Sequence, residues 1–113
     1  MSSNEFKIID LGNNKFKVSL TVPLEDKFYD DVNFVCFNQK DTFFYKIKFK
    51  ECKDNKIYFE SVVEIPDSAL YQCYLKCIID GKNKFLNKNG NFTESLDRRD
   101  FTSLSVNFKV PDW

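Results

Sequence analysis

The strongest constraint on this chain is a two-residue rhythm that recurs along its length. Phe16, Val18, Leu20 and Val22 alternate with Lys15, Lys17, Ser19 and Thr21 until Pro23 ends the run. Successive side chains of a strand point to opposite faces of a sheet, so this pattern describes a strand with one apolar and one polar side. Phe43, Tyr45, Ile47 and Phe49 repeat it, as do Ile57, Phe59, Ser61, Val63 and Ile65. Tyr71, Cys73, Leu75, Cys77 and Ile79 repeat it again, and Leu104, Val106, Phe108 and Val110 form a last strand. Val32 to Phe37 is apolar throughout except for Asn33, as in a strand buried on both faces. A short strand follows the Asp80-Gly81 turn near Lys84 to Asn87, then comes a polar loop from Asn87 to Asp100. Glu5 to Ile9 supplies an edge strand. No segment carries a helical period. The expectation is a single all-β module over residues 1–113, an antiparallel immunoglobulin-like β-sandwich of seven to eight strands.

Composition agrees with that fold. Apolar residues make up 42% and aromatics 17%, with thirteen Phe and little Ala, which suits pleated surfaces better than helices. Seventeen basic residues balance seventeen acidic ones without a polybasic run, so no electrostatic footprint for nucleic acid or an anionic membrane is expected. No apolar stretch approaches the roughly 20 residues of a membrane-spanning helix. The first ten residues lack the features of a signal peptide, and with the cysteine pattern this favours the cytoplasm over secretion or the cell surface.

Chemistry-bearing residues are sparse. With no His, neither a Ser-His-Asp nor a Cys-His arrangement can form. The acidic residues sit in turns or alternate with lysines, and there is no phosphate-binding loop or dinucleotide fingerprint. The segment is therefore expected to be non-catalytic and to need no cofactor or metal. Cys73 and Cys77 lie four residues apart on one strand, about 13 Å between Cα atoms, too far to pair with each other. Cys36, Cys73 and Cys77 fall on apolar positions, which reads as buried free thiols rather than a disulfide framework or zinc site. Glu25, Asp26, Asp30 and Asp31 lack EF-hand spacing and read as solvated turn residues. Asn91-Phe92-Thr93 is a sequon without force outside a eukaryotic secretory context, and Arg98 and Arg99 read as exposed ion pairs of little weight.

A register can be proposed by centring turns near Lys53 and Ser68. Glu60 then sits between Lys46 and Lys76 outside, and Phe59 between Ile47 and Cys77 inside. This leaves Phe44, Tyr58 and Tyr74 on an outer face that should be polar, with Phe44, Val62 and Tyr74 in one row. Such aromatics are covered by a loop or Lys stems, are simply exposed, or form a surface for a ligand or neighbouring domain. Flat rings beside polar groups suit the C–H face of a sugar.

The later motifs, taken in order, add a resemblance. Asp54-Asn55-Lys56-Ile57-Tyr58-Phe59-Glu60, Ile65-Pro66, Tyr74-Leu75-Lys76-Cys77-Ile78-Ile79-Asp80-Gly81, Asn89-Gly90, Asp100-Phe101 and Pro111-Asp112-Trp113 follow one another along the chain. This order resembles the N-terminal domain of glycoside hydrolase family 13 enzymes of the neopullulanase, cyclomaltodextrinase and α-amylase group, classed as a family-34 carbohydrate-binding module. The chain departs from that pattern at Asn38-Gln39-Lys40-Asp41 and at Tyr58-Phe59, where relatives carry a Gly-Asp-x-Tyr turn and a Tyr-Trp pair.

The resemblance implies an accessory domain of an α-glucan-degrading enzyme, binding starch or maltooligosaccharide through Phe44, Tyr58 and Tyr74. It also implies that residues 111–113 open a linker into a catalytic domain, with Trp113 an interdomain anchor. Two other readings stay open. One is a structural domain that packs on the catalytic barrel or mediates dimerisation without glucan affinity. The other is an unrelated immunoglobulin-like protein-binding domain.

Overall fold

A computed structural model describes residues 4–106. Among them are ten strands: β1 (Glu5–Gly12), β2 (Lys15–Pro23), β3 (Tyr29–Phe37), β4 (Thr42–Lys46), β5 (Phe49–Lys53), β6 (Lys56–Glu64), β7 (Ala69–Ile79), β8 (Lys82–Leu86), β9 (Phe92–Thr93) and β10 (Thr102–Val106). One short 3-10 turn spans Arg98–Asp100. The last strand is described only to Val106, so Phe108, Val110 and Trp113 lie outside the described residues.

The strands form two antiparallel sheets. Sheet A has the order β1-β2-β6-β5, and sheet B the order β4-β3-β7-β8-β9. These are the immunoglobulin orders A-B-E-D and C′-C-F-G, so the expected sandwich class holds. Ten strands replace the expected seven to eight because the 43–49 run breaks in two and the 87–100 loop contains a strand of its own. β10 also joins sheet B. It pairs with Ala69 to Cys73 of β7, while β8 pairs with Lys76 to Ile79 farther along the same edge.

The proposed register does not hold. β6 and β7 belong to different sheets, so Glu60 pairs with Ser19 and Phe59 lies between Leu20 and Phe49. The physical reason lies at Ile47 and Lys48. The Ile47 N–H still donates to Val32 in sheet B (2.8 Å), whereas the Lys48 carbonyl accepts from the Glu60 N–H in sheet A (2.9 Å). The chain thus crosses between sheets within one peptide unit. Ser61, the polar exception among the inward positions of β6, accepts the Lys48 N–H on its Oγ at 2.9 Å. A serine at this point satisfies a donor that the crossing would otherwise leave without a ladder partner.

Turn chemistry closes the hairpins. Asp54-Asn55 and Asp80-Gly81 both adopt positive φ, as two-residue hairpin loops matching the strand twist require. Between the sheets, Phe16, Val18, Leu20 and Val22 meet Phe34, Cys36, Tyr71, Cys73, Leu75 and Cys77. Fully burying a large apolar side chain contributes about 1.5–3 kcal/mol. At the edge, the Tyr45 hydroxyl of β4 donates to the Glu64 carbonyl of β6 (2.8 Å) and clips the two sheets together.

Candidate functional site

Sheet B carries apolar residues on its outer side as well. Phe34 and Cys36 of β3 point into the sandwich, so Val35 and Phe37 point out, yet Val35 is 0% exposed. Register places Val35 between Phe44 of β4 and Tyr74 of β7. Phe44 and Tyr74 therefore do share an outward row, with Val35 rather than Val62 as the intervening residue.

The Val35 neighbour Tyr74 belongs to a second aromatic cluster on this face. The Phe37 and Phe101 rings meet edge to face with centroids 5.2 Å apart. Tyr74 lies 5.6 Å from Phe101, 5.9 Å from Phe85 and 6.0 Å from Phe37. Such separations fall in the favourable range for aromatic pairs. Burial pushes the Tyr74 phenol above its ordinary pKa. Phe37, Thr42, Tyr74, Phe85, Leu96 and Phe101 surround an open recess of about 380 Å³.

Phe101 and Leu96 come from the segment between β8 and β10, which has an internal frame. Asn87 Oδ1 accepts from the N–H groups of Asn89 (2.9 Å) and Asn91 (3.0 Å). Asp100 accepts the Lys88 N–H on one carboxylate oxygen and the Asp97 N–H on the other, at 3.2 and 2.9 Å. Asp97 and Asp100 form a reciprocal capping box around the 3-10 turn, and Arg99 sits 3.1 Å from Asp97. That contact holds the Asp97 carboxyl below its usual range. The turn delivers Phe101 onto the sheet.

Beside the cluster the surface stays open. Phe44 on the edge strand and Leu70 at the start of β7 are each 64% exposed. A groove of about 620 Å³ runs past Phe37, Asn38, Gln39, Lys40, Leu70 and Gln72. The groove and the aromatic recess share Phe37. Apolar rings, amide side chains and a lysine thus meet on one surface.

Tyr58 is elsewhere. It points outward from sheet A, between Thr21 of β2 and Glu51 of β5. Its surroundings are charged, with Lys7, Lys17, Lys50, Lys53 and Glu60 around a recess of about 400 Å³. Both sheets separate it from Phe44 and Tyr74, so these three aromatics cannot touch one small ligand together. Phe37, Phe85, Leu96 and Phe101 are the residues that sequence reasoning missed. Two signals bore on Phe37 and Phe101, and none on Phe85 or Leu96. The apolar run Phe34 to Phe37 in β3 requires cover on both faces, and Asp100-Phe101 was one of the motifs of the resemblance.

Among the described residues no group of three or more His, Cys, Asp or Glu side chains is placed to share a metal ion. Among the described residues no helix is long and apolar enough to cross a membrane. The outer face of sheet B offers contact surface and hydrogen-bonding amides rather than an acid–base pair.

Comparison with known proteins adds a fold likeness. No family model matches the chain, and neither does any curated protein sequence. A solved structure of a cyclomaltodextrinase superposes with a TM-score of 0.70 at 6% sequence identity, covering 92% of this chain. The aligned part is 19% of that protein, so the chain spans about a fifth of its length. At that identity the likeness establishes a shared fold.

Proposed function

We propose that this chain is a non-catalytic accessory domain of an α-glucan-degrading enzyme, holding starch or maltooligosaccharide on the outer face of sheet B. The observation that carries the reading is the row Phe44–Val35–Tyr74 with Phe37 and Phe101 beside it, an aromatic surface bordered by Asn38, Gln39 and Gln72. Apolar rings match the C–H face of a glucose unit, and the amides match its hydroxyls. The fold shared with a segment of a cyclomaltodextrinase supports the substrate class. On this reading residues 111–113 open a linker into the catalytic domain, with Trp113 its interdomain anchor.

A second reading rests on the exposure of Phe44 and Leu70 beside an apolar recess. The same face then packs on the catalytic domain or on a second subunit and has no glucan affinity of its own.

Titration with maltoheptaose and soluble starch, followed by calorimetry, separates the two. On the first reading Phe44→Ala weakens binding at least about fivefold, the cost of removing an aromatic anchor, and Tyr58→Ala leaves it unchanged. Binding lost in Tyr58→Ala and kept in Phe44→Ala moves the site to sheet A and overturns the assignment. Absence of binding, together with lost activity when the domain is deleted from a longer parent enzyme, selects the second reading.

A further inference from the structure

We infer that Cys36 and Cys73 are a disulfide-forming pair, a covalent modification site at the centre of sheet B that is independent of any glucan binding. They are direct cross-strand partners on β3 and β7, the two central strands of that sheet. The Cys73 thiol donates to Cys36 Sγ across 3.4 Å. Both are free and fully buried.

Several constraints select this pair. Directly opposed residues in an antiparallel ladder have Cα atoms about 4.5 or 5.5 Å apart, and both values lie within the span a disulfide bridges. The sulfurs already face each other, so closing to about 2.0 Å needs side-chain rotation and a small approach of the strands. Cys77 points into the same core from β7, but it stands opposite Lys84 of β8 and has no cysteine partner. Burial pushes its thiol up to about 12. Cys52 is exposed on β5 at the edge of the other sheet. Among the four, only Cys36 and Cys73 are in register.

The chemistry is a two-electron thiol–disulfide exchange with a small-molecule disulfide such as oxidised glutathione. One cysteine thiolate attacks a sulfur of the oxidant, breaking its S–S bond, forming a mixed disulfide and releasing one glutathione thiolate. The second cysteine thiolate then attacks the protein sulfur of that mixed disulfide. The Cys36–Cys73 bond forms and a second glutathione leaves. Two protons pass to solvent, and the two protein sulfurs supply the electrons that reduce the oxidant.

Burial sets the kinetics. Neither sulfur is accessible in the folded chain, so the oxidant reaches them during folding or when β3 and β7 open. Once closed, the bond encloses a separation of 37 residues and ties together the strands carrying Val35, Phe37 and Tyr74.

The test is refolding of the whole chain from denaturant with either a glutathione redox couple or dithiothreitol. Thiols are then counted with Ellman's reagent in denaturant, and peptides are mapped by mass spectrometry without reduction. Two titratable thiols after oxidative refolding, with the Cys36 peptide joined to the Cys73 peptide, are expected. A C52S/C77S double variant should fall to none while remaining monomeric, so the count depends on no substitution at Cys36 or Cys73. The oxidised form should melt higher than the reduced form, by roughly 15 °C for a loop of this size. Four remaining thiols, a link between any other two cysteines, or an oxidised form that melts no higher than the reduced one would overturn the inference.

Discussion

The Tyr71 hydroxyl donates to the backbone carbonyl of Asp67, 3.0 Å away and four residues back along the chain. Tyr71 is 1% exposed at the start of β7, and Asp67 lies in the connection that carries the chain from sheet A to sheet B. The bond has the form of the tyrosine corner of immunoglobulin sandwiches, where a buried ring pins the crossover between the two sheets. Tyr71→Phe keeps the ring and removes only the donor. The expected loss is about 0.5–1.5 kcal/mol, read as a lower urea midpoint at an unchanged slope.

Ser61→Ala removes the acceptor of the Lys48 N–H where the chain changes sheets. Water reaches part of this site, so the loss should be about 1 kcal/mol. Amide exchange should accelerate at Lys48 and Glu60 more than in the β2–β6 ladder. An unchanged rate at Lys48 would show that the serine does not hold the crossing.

Phe101→Ala removes the ring that the 3-10 turn lays against Phe37 and Tyr74. Phe101 is only half-buried, so the cost should fall below the roughly 3–5 kcal/mol of a core Phe→Ala change, near 2 kcal/mol. Amide protection should drop across residues 87–101 and at Val35, and stay native in β2. Uniform loss of protection throughout the chain would contradict a separate outer cluster.

Alkaline pH should unfold the protein through its tyrosines. Burial first, with Glu25 second, raises Tyr29 from 10.0 to about 12. Burial also raises Tyr45 to about 12, with neighbouring Cys36 adding to it. A folded-state pKa above the unfolded value favours the native state while the phenol is protonated. That contribution is complete below pH 10 and disappears as pH rises through about 12. Phenolate absorbance at 295 nm should therefore appear late in the native chain and earlier in 8 M urea (about 10). Coincident curves would refute the burial of these rings.

Strand identity was legible in the residues, whereas sheet membership was not. The alternation from Phe16 to Val22 marks β2 almost to the residue, and the Tyr71 to Ile79 pattern marks β7. Alternation records which side chains face the core, and this is the same whether a strand turns back on its neighbour or crosses to the opposite sheet. Ile47 shows the limit. It keeps the period of the 43–49 run, yet the backbone changes partners at the next peptide. The candidate site was half legible for the same reason. Phe44 and Tyr74 were correctly read as outward, but their neighbour is Val35 rather than Val62, and Tyr58 went to the other side of the sandwich. Phe101 reaches the face through hydrogen bonds of Asp97 and Asp100, a geometry that periodicity does not encode.

Beside Val35 the molecule becomes three layers deep, with Leu96 and Phe101 of the short segment after β9 laid over Phe37, Tyr74 and Phe85 of sheet B. The inner two layers depend on residues scattered across most of the chain and tolerate little change. The outer cover is instead confined to the single segment 94–101. Change in that short segment would alter one border of this face while the strand residues Phe44, Val35 and Tyr74 stay in place.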